Sequence, residues 1–109
     1  MSSCKRLTLA LTTSETTTGE IDDFDQYIAG RVHVPAASSH TTLTFYDSSD
    51  DGTTFNAAWD DAATPAAIAR TVSAGKSYPI PDALFAAERI RIKSDSAEDV
   101  VVVLKKYEI

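Results

Sequence analysis

A single cysteine, Cys4, in 109 residues leaves no partner for an intrachain disulfide. That fits a reducing compartment, or a protein assembled inside a cell. With only Lys5 and Arg6 nearby to activate it, Cys4 reads as a bystander, the sharper alternative being an intermolecular crosslink or a reactive thiol. Two histidines, His33 and His40, stand in no metal-ligand spacing with each other or with Cys4, and a zinc site needs three or four ligands. The four glycines are scattered singly, so no phosphate-cradling loop is present. There is no G-x-S-x-G, and no serine has an adjacent base that the sequence identifies. Basic charge is scarce: ten Lys and Arg against sixteen Asp and Glu give a net charge of −6. Neither nucleic acid nor an anionic membrane surface is therefore expected as a direct partner. No hydrophobic run reaches bilayer length, and the amino terminus lacks the apolar core of a signal peptide. A soluble, unprocessed chain is expected, as one domain over 1–109 with residues 1–5 a mobile terminus.

What is present is alternation, on a surface rich in Thr, Ser and Asp. Thr41 to Trp59, TTLTFYDSSDDGTTFNAAW, reads as two strands joined by an acidic turn in which Asp51-Gly52 is a strong hairpin signal. The period of two places Leu43, Phe45, Phe55 and Trp59 on one buried face. Lys5 to Thr12 alternates as well, with Leu7, Leu9 and Leu11 inward. Thr13 to Glu20 is a polar loop, followed by the anchors Ile21 and Phe24. From Ile28 to Val34, Ile28, Gly30, Val32 and Val34 share a face until Pro35 ends the run. After a loop punctuated by Pro65, Ile68, Arg70 and Val72 alternate up to a Gly75 turn. Ser77 to Ile80 carries Pro79 and suits only an edge. Pro81 to Glu88, PDALFAAE, reads as a short helical turn with Pro at its start. In RIRIK, Ile90 and Ile92 point in while Arg89, Arg91 and Lys93 point out. About eight short strands separated by Gly, Pro, Asp and Ser clusters predict an all-β fold, an antiparallel, jelly-roll-like β-sandwich.

Val100 to Leu104 is apolar at every position. A strand apolar on both faces is expected to be covered on both. Its second row, Val101 and Val103, is therefore expected to meet either another subunit or the PDALFAAE turn.

The acidic turn raises a cation site at Asp47, Asp50 and Asp51. An EF-hand loop counted from Asp47 would need Glu at its twelfth position, where Ala58 stands. At about 4 Å two carboxylates repel by only about 1 kcal/mol in water, so a solvated turn needs no metal, and no cofactor is expected. The carboxylate pairs Asp22-Asp23 and Asp60-Asp61 fall in loops, as they do in any acidic chain. Arg89, Arg91 and Lys93 form either a solvated outer face or a docking face for an acidic surface, such as the DSSDDG turn of a neighbouring copy. A sugar-binding or receptor-binding module would instead display Tyr46, Trp59 or Tyr78 together on one flat face.

The order RVHVPAA, then LTFYDSSDDGTTFNAAWD, then TVSAGKSYPI, then DALFAAERIRIKS and a valine-rich terminal strand resembles a family of small virion proteins of tailed bacteriophages. The shared pattern is L-T-F-x-x-S-x-x-D-G-x-T-F, V-x-A-G-K and L-F-x-x-x-R-I-R-x-x-S, over Ile28 to about Leu104. Ala57-Ala58-Trp59 departs from the aliphatic usual after the hairpin. The resemblance implies a non-enzymatic β-sandwich in the virion, built in the host cytoplasm. It would decorate the outer capsid as a homo-oligomer on a symmetric lattice, with the major capsid protein or other virion proteins as partners. A place in the neck, tail or fibre is the alternative.

Overall fold

A computed structural model describes residues 2–14, 18–48, 50–60, 63–64 and 66–107, with side chains over 4–106. Met1, Ser49, Asp61, Pro65 and residues 15–17 of the first polar loop, which figured in the reading above, lie outside the described residues. The chain forms β1 (Ser2–Ala10), β2 (Gly19–Ile21), β3 (Ala29–His33), β4 (Thr42–Ser48), β5 (Asn56–Ala57), β6 (Ala69–Thr71), β7 (Ser77–Pro79), β8 (Arg89–Ser94) and β9 (Asp99–Tyr107). Two 3-10 turns, Phe24–Gln26 and Asp82–Ala86, interrupt them.

Two antiparallel sheets result, ordered β1-β9-β3-β7 and β2-β8-β4-β5, with β6 also paired to β4. The wrapping is that of a jelly roll: β1 pairs with β9, β2 with β8, β3 with β7, and β4 with β5 and β6. The alternating side chains explain the layers. Leu9, Val32, Val100, Val102 and Leu104 from the first sheet and Leu43, Phe45, Ile90 and Ile92 from the second are buried in one core. Gly30 sits where a Cβ would come within 2.8 Å of Leu104 Cδ2 and 3.0 Å of Ile80 Cδ1, so the missing side chain is what lets β3 lie against its neighbours.

The 3-10 turns close one end, their rings Phe24 and Phe85 stacked with centroids 4.6 Å apart. At the PDALFAAE segment the helical character is real but tight: Leu84 is buried, and Ala87 N–H donates to the Leu84 carbonyl. Residues 2–5, read as a terminus, lie in β1 opposite Tyr107 to Leu104. Gly19–Ile21, read as loop and anchor, is an edge strand on β8.

The hairpin departs from expectation in register. Tyr46 faces Ala57, and Asp47 faces Asn56. Even positions of β4 therefore share a face with odd positions of β5, and Ala58, not Trp59, is turned inward. Ala58 is buried beside Phe45, whereas Trp59 is 61% exposed and Phe55 is half-buried on the outer face. A one-residue change of register turns every side chain over. Phe45 is also where the partner of β4 changes: its carbonyl accepts from Ala58 N–H and its N–H donates to the Ile68 carbonyl. Between those residues Trp59 and Ala67 pair in an isolated antiparallel bridge at the sheet edge. Ile28, expected inside, is 54% exposed. It precedes the strand proper, held by its N–H on the Lys105 carbonyl at 2.9 Å.

Candidate functional site

The interface residues read from the sequence fall on two different surfaces. Arg89, Arg91 and Lys93 lie on the outer face of the β2-β8-β4-β5 sheet, and Val101 and Val103 on the outer face of the β1-β9-β3-β7 sheet. No single contact patch contains both sets.

The first of these outer faces is occupied by the chain itself. Arg91 pairs with Glu20 across β8 and β2, Nη2 to Oε1 at 3.1 Å, and its guanidinium lies 3.9 Å from the centre of the Phe55 ring. Lys93 Nζ stands 5.9 Å over the ring of Tyr46, which is 7% exposed despite facing outward. Arg89 reaches Asp51 at 2.9 Å and Glu20 at 3.5 Å. Burial works against the charge on Arg89, but the bonds to Asp51 and Glu20 outweigh it and raise its pKa. The DSSDDG turn does meet Arg89, but within one molecule. Asp51 (φ 58°) and Gly52 (φ 84°) take the left-handed backbone that folds the turn back, and Gly52 packs against the Arg89 side chain.

That turn disperses the three aspartates proposed for a cation. Asp50 Oδ1 accepts from Thr54 N–H at 2.8 Å and from the Ser48 hydroxyl at 2.9 Å. These two bonds, the backbone one first, hold its pKa below the usual value. Asp51 is spent on Arg89, while Asp47 lines, with Glu88, Ala83, Ala86 and Ala87, a shallow depression of about 370 Å³. Among the described residues no group of three His, Cys, Asp or Glu side chains converges as metal ligands would.

The second outer face differs. Across it the ladder aligns Thr8, Val101 and His33 in one row, then Arg6, Val103 and Arg31, then Cys4, Lys105 and Ala29. Val101 and Val103 are half-buried, with His33, Arg6, Arg31 and Lys105 exposed around them. Arg31 bonds to the Ser77 hydroxyl and carbonyl at 2.9 and 3.0 Å. Among the described residues, none of Arg6, Arg31 and Lys105 has a carboxylate within ion-pair distance. The PDALFAAE turn packs mainly elsewhere, on the Phe24 side; its second residue, Asp82, borders the hollow beside Val103. The second valine row is thus not covered by that turn.

One constellation escaped the sequence altogether. His40 and Ser94, 54 positions apart, meet with Nδ1 and Oγ 2.5 Å apart, and they are 2% and 3% exposed. Next to them Asp95 accepts from the Thr41 hydroxyl, from Thr41 N–H at 3.0 Å and from Thr42 N–H at 3.3 Å. A histidine, a serine and an aspartate in proximity suggest nucleophilic catalysis. Here the serine is 3% exposed and its hydroxyl already accepts from Ser96 N–H at 3.1 Å. The cluster ties the connection after β3 to the β8–β9 turn. Its one local signal was a Ser-Asp-Ser turn beside a strand end; the histidine could be placed only by the fold.

The aromatics offered for sugar stacking do not assemble either. Trp59 is exposed at the sheet edge, Tyr46 is buried, and Tyr78 lies on the opposite sheet with its hydroxyl accepting from Ser73 N–H at 2.8 Å. No family model, no curated protein and no solved structure matches this chain.

Proposed function

We propose that this chain is a non-enzymatic structural subunit of a tailed-bacteriophage particle, one that decorates the outer capsid surface. The observation that carries the reading is the second outer face. The central strand β9 presents Val101 and Val103 there, half-buried, with neither 3-10 turn laid across them. Fully burying a Val side chain is worth about 1.5–3 kcal/mol, so an apolar row left at a surface is stabilised by a neighbour on a symmetric lattice. The motif order from Ile28 to Leu104 supports the phage setting. The jelly-roll wrapping agrees with it, since that architecture serves viral capsids, although it serves lectins equally. The test is mass spectrometry of purified particles with copy counting. A copy number in step with the capsid lattice is expected. A count matching a portal ring would move the chain to the neck or tail, and its absence from particles would end the proposal.

A sugar-binding or receptor-binding module is the second reading, favoured by the exposure of Trp59. It expects glycan-array binding that Trp59→Ala abolishes. Because Trp59 stands apart from Tyr46 and Tyr78, it ranks below the structural reading.

A further inference from the structure

We infer that the chain associates head to tail with copies of itself, the Val101–Val103 face of one molecule seating on the Asp47–Glu88 depression of the next. Two separate surfaces of the molecule meet in this contact. The face offers two valines flanked by Arg6 and Arg31, with Lys105 one row on. Among the described residues that border this face the carboxylate is Asp82, at its rim, and it is not within ion-pair distance of any of the three cations. Cations that have no carboxylate partner among the described residues, on a chain of net charge −6, call for an occupant that brings carboxylates together with some apolar surface. The depression supplies both: Asp47 and Glu88 beside Ala83, Ala86 and Ala87, with no cation among the described residues that line it. One Glu88 carboxylate oxygen is buried there without a hydrogen-bond partner. A face-to-face dimer is disfavoured, since it would set Arg6, Arg31 and Lys105 against their own copies. A heterologous contact does the reverse, and it propagates into a ring or an open array according to its rotation.

The contact deepens the proposed function by naming the surfaces that copies use, yet the two fail separately. Absence from particles removes the virion role and leaves self-association standing. The test is sedimentation velocity of the purified chain over a range of concentrations, at low ionic strength and again at about 0.5 M salt, where charge attraction is screened beyond a few Å. The mass is expected to climb above 11.7 kDa with concentration at low salt and to fall back at high salt. Arg6→Glu and Asp47→Lys should each weaken association by about tenfold or more. An equimolar mixture of the two variants should recover it, because the reversed charges complement each other. Circular dichroism establishes that each variant is folded. If Asp47→Lys is not, Ala86→Lys, at an exposed position in the same depression, takes its place with the same expected loss. A wild-type chain that stays monomeric at its highest concentration in low salt overturns the inference. So do variants that associate as the wild type does, or an Arg6→Glu variant that associates more tightly.

Discussion

Asp95 shows how much one exposed side chain organises here. It takes the Thr41 hydroxyl and two backbone N–H groups, and those bonds, the hydroxyl first, depress its pKa well below the ordinary 3.8. Glu98 does similar work from the other side of the turn. The Ser96 hydroxyl and then Ser39 N–H, at 2.5 and 2.7 Å, hold its pKa below 4.5. Bonds to a charged acceptor are stronger than neutral ones, but solvent offsets part of the gain. Asp95→Ala is accordingly expected to destabilise the chain by about 1 kcal/mol in urea titrations. Gly19 makes a harsher prediction. A Cβ there would collide with Leu9 Cγ and press on the Ala10 carbonyl at 3.1 Å. Gly19→Ala should cost about 1–3 kcal/mol, the usual penalty for overpacking. Trp59→Ala, at an exposed position, should change stability by less than about 0.5 kcal/mol.

Among the elements β9 is the one whose two faces can be separated experimentally. Its inward row, Val100, Val102 and Leu104, is fully buried, while Val101 and Val103 are only half-buried. Leu104→Ala should therefore cost about 2–5 kcal/mol by opening a cavity. Val103→Thr, on the outer row, should cost less than about 1 kcal/mol in dilute solution, where no copy covers it. Comparable losses at the two positions would mean that the outer row is already packed within the monomer. At β4 the edge is completed by two short strands instead of one, with Phe45 bonding to a residue beside each. The chain between them is thereby free to carry Trp59 out of the core.

For the molecule as a whole, acid is the revealing perturbant. Asp50, Asp95 and Glu98 all have depressed pKa values in the fold. Asp23 joins them: burial pushes its pKa up, but bonds to Lys5 at 3.1 Å and from the Tyr27 hydroxyl at 3.0 Å pull it down further. A carboxylate more acidic in the folded state stabilises the fold fully above its unfolded pKa, near 3.8 for Asp and 4.5 for Glu. That stability is lost as pH falls, because the unfolded chain takes up protons first. The thermal midpoint should fall steadily below about pH 4, and Asp95→Asn should make the fall shallower.

The strands were legible because burial on one face writes a period of two into the residues. Leu7 to Leu11, Val32 to Val34 and Ile90 to Ile92 turn inward as their alternation implied, and Val100 to Leu104, apolar throughout, runs as a strand. The edge position of β7 followed from Pro79, which cannot donate to a ladder. Gly19–Ile21 was not legible, since three residues are too few to show a period. The inward turn of Ala58 was hidden because the aromatics Phe55 and Trp59, which flank β5, sit at alternate positions and invite the opposite face, and the register lay in the backbone of the Asp51-Gly52 turn. Composition and alternation by themselves determined an acidic β-sandwich without an intrachain disulfide and with one strand too apolar for its place. Only the tertiary structure decided which charges are spent and which are spare. Arg89 and Arg91 lie a strand away from Glu20, whereas Arg6, Arg31 and Lys105 come together from three separate strands with no carboxylate partner among the described residues. The physical reason is that an ion pair depends on distances of a few Å, and such distances between remote residues exist only once the sheets are assembled.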